Sequence, residues 1–254
     1  MMGTPVDQTR FYTDAYTVAD ADRANAYGEW RSLGARTKAD HVVALCERAG
    51  VRPQRLVEIG CGAGSLLAEL AARGAAAQLD GYDLSAPAVE IARSHGLPGV
   101  RVEVFDGERL PVEDGAYDLA VLSHVLEHVP DPAALLAEAA RAAPWVLVEV
   151  PLEDNRSAAR PAKRAEAARI GHIQFFDRAA VGALCRHAGL EIRADLADPL
   201  GREHQSFGAA GTRARLRATA KAGARSVAWR AAPRAAEQWF TVHYACIAER
   251  RPAT

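Results

Sequence analysis

The chain is poor in cysteine, and its cysteines are scattered. Cys46, Cys61, Cys185 and Cys246 stand far apart, and no Cys-x-x-Cys occurs. That spacing excludes a zinc knuckle and gives no disulfide framework, so free thiols in a reducing cytoplasm are expected. No apolar run approaches the ~18 residues needed to cross a bilayer, and no membrane partner is expected. Met1 to Arg10 lacks the apolar segment of a signal peptide. Net charge is nearly absent, at −1 for pH 7. No global field therefore draws the protein to nucleic acid. Internal repeats are absent as well.

What is present is ample core material. The chain has 254 residues, 49% of them hydrophobic and 25% charged. That composition suits one large domain, or one domain with appendages. Aromatics are only 6% of the chain, and Phe11, Tyr12, Tyr16, Tyr27 and Trp30 crowd together near its start. Residues 1–50 are read as a helical, aromatic arm. Its aromatics either pack on the domain or close as a lid over a substrate. Within the arm, Thr37 to Gly50 reads as an amphipathic helix, with Ala39, Val42, Val43 and Cys46 on one face. Residues 51–254 form the main domain.

That domain turns on Leu56-Val57-Glu58-Ile59-Gly60-Cys61-Gly62-Ala63-Gly64-Ser65. An apolar run with one carboxylate passes through alternate glycines into helix formers. This is a strand, a tight turn and a helix start. Glycines belong where the backbone takes positive φ and where a ligand comes close to the main chain. The helix start points unpaired N–H groups at the same place. No Gly-Lys-Ser/Thr closes a phosphate loop, and Ser65 stands where a dinucleotide fingerprint wants Gly or Ala. Cys61 is read as small filler within the turn.

Strand and helix then alternate. Strands are expected at Gln78–Asp83, Val100–Phe105, Tyr117–Ser123 and Trp145–Val150, with helices between them. A sixth strand is expected at Glu191–Leu196 and a last one at Phe240–Ala248. This predicts an α/β fold with a parallel sheet, right-handed crossovers and helices on both faces. Ligands in such sheets lie at the C-terminal strand ends, where the glycine turn sits. Residues 151–176 do not read as a buried element and are taken as a lid carrying His172 and Phe175. Residues 201–236 carry seven Arg and one Lys against one Glu and are taken as a basic, partly helical insertion.

Asp83 ends the second strand about 20 residues beyond the glycines, where a carboxylate can accept both hydrogen bonds of a ribose diol. Asp80 competes for that role, and Asp83 could also serve only to cap the next helix. Asp106, ending the third strand, can accept from an adenine amino group. The fourth strand leads into Ser123-His124-Val125-Leu126-Glu127-His128. The letters from His124 to His128 fit the H-x-x-E-H zinc motif. That motif needs one continuous helix, whereas here a strand precedes and Pro130 follows, so no metal is expected.

Glu58-x-Gly60-x-Gly62-x-Gly64, Asp83, Asp106 and the strand ending in His-Val-Leu-Glu-His together resemble the class I S-adenosylmethionine-dependent methyltransferases. The resemblance implies a Rossmann-like, seven-stranded, mostly parallel sheet with an antiparallel last strand. It implies S-adenosyl-L-methionine as cofactor and S-adenosyl-L-homocysteine as product. Glu58 and the backbone of Gly60, Cys61, Gly62 and Gly64 would hold the methionine end. Asp83 would hold the ribose and Leu84 would flank the adenine. Asp106 and Gly107 would read the adenine edge, and Ser123 and His124 would border the sulfonium.

The implied activity is methyl transfer to a hydroxyl or amine of a small metabolite, as in biosynthetic tailoring. His172, His124 and His128 are the candidate bases, since histidine suits neutral pH. Tyr12, Tyr16, Tyr27, Trp30 and Phe175 are candidates for shaping the acceptor pocket. An RNA or carrier-protein-bound acceptor, drawn by the basic insertion, is the alternative, although nucleic acid is not favoured by the overall charge. A non-catalytic S-adenosylmethionine-binding protein is a rival of another class, and an NAD-dependent dehydrogenase is a second. A homodimer is compatible with all of these.

Overall fold

The computed structural model describes residues 21–199 and 211–251, with side chains from residue 34 onward. Helix α1 spans Ala21–Ala49, and is followed by β1 Arg55–Ile59, α2 Ser65–Ala72, β2 Gln78–Asp83, α3 Ala86–Ser94 and β3 Val100–Val104. The chain continues through β4 Leu119–Ser123, a 3-10 turn Leu126–His128, α4 Pro132–Ala142 and β5 Trp145–Pro151. It ends with α5 Pro161–Arg169, α6 Arg178–His187, β6 Leu190–Asp198, α7 Thr212–Ala231, α8 Pro233–Glu237 and β7 His243–Arg250.

One seven-stranded sheet has the order β3-β2-β1-β4-β5-β7-β6. Strands β1 to β5 pair in parallel, and β7 runs antiparallel to both β5 and β6. The order reverses beside β1, so a crevice opens at the C-terminal ends of β1 and β4. The last strand starts at His243 rather than Phe240, because its register against β5 opens with Pro151 opposite His243.

Side chains alternate between the two faces, as the pleat requires. Val57, Ile59, Ala120, Leu122, Val146 and Val148 face a core with Leu136 of α4 and Val181 of α6. Leu56, Leu119, Val121, Leu147, Ala245 and Ile247 face the other core, with Ala39, Val42 and Leu45 of α1 and Leu67 and Leu70 of α2. By the same alternation Glu58, Ser123, Glu149 and His243 belong to the α1-covered face. Each lies at the end of its strand nearest the crevice. A row of polar residues thus replaces the apolar ladder where the ligand edge begins.

Two sequence expectations need correction. The first helix begins at Ala21 rather than Thr37. Its first half carries no clear apolar stripe in sequence, so periodicity finds only the second half, where Ala39, Val42 and Leu45 pack on the sheet. Residues 151–176 do contain buried structure. Leu152, Ala158, Ala167, His172 and Phe176 are buried. Helix α5 buries only Ala167, so its sequence carries no helical stripe. The segment is anchored by Asn155 Nδ2, which donates to Leu152 O at 2.8 Å, and by Ile173 N and Gln174 N, which donate to Glu127 O at 2.9 and 3.0 Å.

Candidate functional site

The glycine turn is built to be approached. Gly60, Gly62 and Gly64 have φ of +78°, +53° and +76°. A Cβ on Gly60 would lie 2.5 Å from Val125 Cγ2, so the turn also packs tightly against the end of β4. Cys61 is buried beneath it, and its Sγ fills the space above Gly81. Asp83 braces the turn. Its Oδ2 accepts from Gly62 N at 2.7 Å and its Oδ1 from Ser85 N at 2.8 Å. The cap of α3 is Ser85, whose hydroxyl accepts from Ala88 N.

Asp80, the competitor for the ribose, is buried on the sheet. It accepts from Tyr117 Oη and from Arg101 Nη2, each at 2.7 Å, and has no place at the crevice. Asp106 is exposed and turns its Oδ1 onto Glu108 N and Arg109 N at 2.8 and 2.9 Å. Those backbone bonds hold its carboxyl below the usual range. Gly107 takes φ +84°, with Leu84 Cδ1 3.7 Å from where a Cβ would sit. Leu84 and Gly107 thus form adjoining walls.

Glu58 is the buried carboxyl group of this end. Burial pushes its carboxyl up to about 8, against the pull of nearby Lys38. Its Oε2 is buried and has no hydrogen-bond partner. A solvent-excluded carboxylate oxygen without a donor is costly unless a ligand supplies one. An ammonium group next to a backbone cradle of positive-φ glycines fits this need. The residues present therefore suit the amino-acid end of a nucleoside-linked cofactor.

Beyond β4 the chemistry changes from backbone to side chain. His124 has φ +58°, the one positive value outside glycine among the described residues. Strained backbone of this kind costs about 1–3 kcal/mol and persists where the surroundings fix it. His124 Nδ1 lies 2.9 Å from Glu127 Oε1, and its ring leans on His243 with centroids 4.3 Å apart. Burial, with Lys38 adding to it, pushes the imidazole down to about 3, so it is neutral at physiological pH.

Glu149 is fully buried in β5. Its Oε2 accepts from Ser123 Oγ at 2.9 Å, and its Oε1 lies 3.0 Å from His41 Nδ1. Burial opposes its ionisation, yet the His41 hydrogen bond, with the Lys38 charge adding to it, holds it below the usual carboxylate range. Burial also weighs against charge on His41, but hydrogen bonds to Asp198 and Glu149 raise it to about 9.

A second cluster lies one turn on. His172 Nδ1 is 2.7 Å from Glu153 Oε2, and the ring stands edge-on to His128 with centroids 4.8 Å apart. His128 Nδ1 meets Gly171 O at 3.1 Å. Burial lowers His128 and raises Glu127. For His172, burial is outweighed by the hydrogen bond to Glu153, and its pKa is raised. The histidines of the H-x-x-E-H stretch therefore face different clusters, since a strand end and a 3-10 turn do not keep the spacing of a helix.

Ser123, His124, His128 and His172 come together at this end of the crevice, on the far side of Gly60 from Asp83 and Asp106. Arg164 stacks over Phe175, its guanidinium carbon 3.5 Å from the ring centre. Tyr12 and Tyr16 lie outside the described residues, as do the side chains of Tyr27 and Trp30. Sequence reasoning missed His41, Glu149, Glu153 and His243. One signal was available: Glu149 interrupts Trp145-Val-Leu-Val-Glu-Val-Pro, and a carboxylate in a buried run needs a partner.

A family model described as a methyltransferase domain matches residues 27–195. A ubiquinone biosynthesis O-methyltransferase of Bordetella parapertussis is 43% identical over 103 residues, 37% of this chain and 41% of that protein. The chain thus spans about two-fifths of the length of the curated relatives it matches. A putative sarcosine dimethylglycine methyltransferase from Galdieria sulphuraria is similar in structure, with a TM-score of 0.60 at 15% identity, covering 85% of each chain. So is a geranyl diphosphate C-methyltransferase from Streptomyces coelicolor, solved with Mg2+, geranyl diphosphate and S-adenosyl-L-homocysteine. Its TM-score is 0.60 at 16% identity, over 83% of this chain and 76% of that one. At these identities the structural likeness shows the fold alone. Among the described residues no helix is long and apolar enough to cross a membrane.

Proposed function

Since the chain belongs to the methyltransferase-domain family and its methyl donor is S-adenosylmethionine, we propose that it methylates a hydroxyl oxygen of a small metabolite, in biosynthetic tailoring. The bound cofactor supplies an electrophilic methyl on a sulfonium, so the protein's task is to align the acceptor and take its proton. Glu58 and the glycine backbone hold the methionine end, Asp83 the ribose, and Leu84, Asp106 and Gly107 the adenine. Ser123 and His124 border the methyl.

The observation that carries the hydroxyl reading is the His172–Glu153 pair, 2.7 Å apart, with His172 buried and Glu153 half-buried. Glu153 fixes the Nδ1 proton and leaves Nε2 as the basic nitrogen, which suits removal of a hydroxyl proton. An amine acceptor that reacts as the free base has less need of such a group. His124 serves less well as a base, because its surroundings suppress protonation.

His172→Ala is expected to lower turnover by roughly 100-fold or more, with little change in S-adenosylhomocysteine affinity. The assay is transfer of label from S-adenosylmethionine to a panel of hydroxylated metabolites. Unchanged turnover discards the base. Glu153 acts as a positioning residue. Because it raises the His172 pKa, Glu153→Gln is expected to move the acidic limb of the rate profile to lower pH. A limb that stays in place rejects the pairing.

A further inference from the structure

Glu149 Oε1 is a point on which imidazoles converge. His41 Nδ1 lies 3.0 Å from it, His243 Nδ1 3.8 Å and His124 Nε2 4.0 Å. Glu149 is wholly shielded from solvent, and Ser123 fixes its other oxygen at 2.9 Å. His124 Nε2 is itself buried and has no hydrogen-bond partner. Its Nδ1 is taken by Glu127, so the ring is oriented by a carboxylate on one nitrogen and offers a bare nitrogen on the other. That is the arrangement by which a second carboxylate sets the tautomer of a metal-ligating histidine.

Donor atoms of His124, Glu149 and His243 all lie within 4.8 Å of one another. An ion about 2.0–2.2 Å from nitrogen and carboxylate ligands needs donors roughly 3.2–3.6 Å apart in a tetrahedron. The His–Glu distances of 3.8 and 4.0 Å lie within ~1 Å of that spacing, and the two histidine nitrogens are within 4.8 Å of each other. A second carboxylate stands beside the cluster: Asp198 Oδ2 lies 3.6 Å from His41 Nε2, while Glu149 Oε1 lies 3.0 Å from His41 Nδ1.

We propose that His124 Nε2, His243 Nδ1 and Glu149 Oε1 bind one divalent transition-metal ion of the zinc type. Two nitrogens and one oxygen suit that class better than magnesium or calcium, which favour all-oxygen sites. Three protein ligands leave a coordination position open, and there an acceptor oxygen loses its proton more readily on binding the ion. The acceptor class this selects is a phenol, catechol or enol, which ligates as its oxyanion. This last step rests on the methyl-transfer reading, whereas metal binding does not. The cluster of Glu127, His128 and His172 also brings potential ligands together. There His172 is held by the Glu153 carboxylate, which serves the base role described above.

The test is calorimetry with Zn2+ and visible absorption with Co2+ on the full chain freed of metal by chelation. One equivalent is expected, with Co2+ bands of tetrahedral intensity. His243→Ala and Glu149→Gln should each weaken binding by more than about 100-fold, the upper end of the loss from removing a mere supporting partner. His172→Ala should leave it unchanged. Far-UV circular dichroism and the melting shift given by S-adenosylhomocysteine show whether each variant is folded. Wild-type protein that binds no Zn2+ overturns the site. So does binding that survives His243→Ala and is lost in His172→Ala. A missing S-adenosylhomocysteine shift with Zn2+ bound normally supports the site and defeats the cofactor reading instead.

Discussion

The two sides of the crevice recognise by different means. On the β1–β3 side, the groups that would face a ligand are main-chain N–H at the glycine turn, with Asp83 and Asp106 at strand ends. Both carboxylates are fastened to nearby backbone, Asp83 to Gly62 and Ser85, Asp106 to Glu108 and Arg109. On the β4–β7 side the groups are side chains drawn from α1, β4, β5, β7 and the loops after β4 and β5. They are fastened to one another: His41 to Glu149, Glu149 to Ser123, His124 to Glu127, His172 to Glu153. A backbone-built site serves a ligand of constant shape. A site of interlocked side chains can be changed residue by residue, which suits an acceptor that varies among enzymes of one fold.

If the first side is truly backbone-built, adding one carbon there should do more harm than deleting a whole side chain. Gly60→Ala places a Cβ 2.5 Å from Val125 Cγ2 on a residue at φ +78°. Left-handed strain and overpacking together should cost roughly 4 kcal/mol, read as a lower urea midpoint and lost S-adenosylhomocysteine binding. A variant as stable as wild type would break the contrast.

Next in size is the interlocked side. His41 is raised from 6.5 to about 9, so its stabilisation is full below pH 6.5 and is lost as pH rises through about 9. Glu149 is lowered from 4.5, so its share is present above pH 4.5 and is lost as pH falls through its depressed value. The pair should therefore add most between about pH 4.5 and 6.5 and fade as pH rises toward 9, on the order of 3 kcal/mol from the His41 shift. Melting temperatures should fall on the alkaline side in wild type, and His41→Ala should flatten that limb. Identical limbs in the two proteins would separate His41 from Glu149.

The smallest effect sharpens the role of Asp83. Asp83→Ala should weaken S-adenosylhomocysteine by roughly 30-fold, about 2 kcal/mol for a charged hydrogen-bonding group. Wild-type affinity by calorimetry would leave Asp83 as a brace for the turn and remove the ribose assignment.

The same contrast decides what could be read in advance. The glycine turn is contiguous, and the strand spacing sets where Asp83 falls, so both were legible from residue order. The choice between Asp80 and Asp83 was not. It depends on which face of β2 each occupies and on Tyr117 and Arg101 arriving from elsewhere. His41 and His243 carry no motif at all. They meet at Glu149 because α1 covers the sheet and β7 inserts beside β5. Pattern does not record such distance. The helix of 161–169 was missed for another reason: it mixes alanine with charged residues and buries only Ala167, so no apolar stripe marks it.

His243 joins the cluster only when β7, which follows the other six strands of the sheet, slots between β5 and β6. On the ribosome, the β1–β3 side has all its parts once β3 and the short turn after it, with Asp106 and Gly107, have emerged. The β4–β7 side waits for β7 before its side chains can meet those of α1, a helix made earlier. During that interval Glu149 would be a carboxylate without His243 beside it, on a strand whose edge is still open. The interlocked cluster of His41, Glu149 and His243 thus forms only when β7 takes its place between β5 and β6 and joins the sheet.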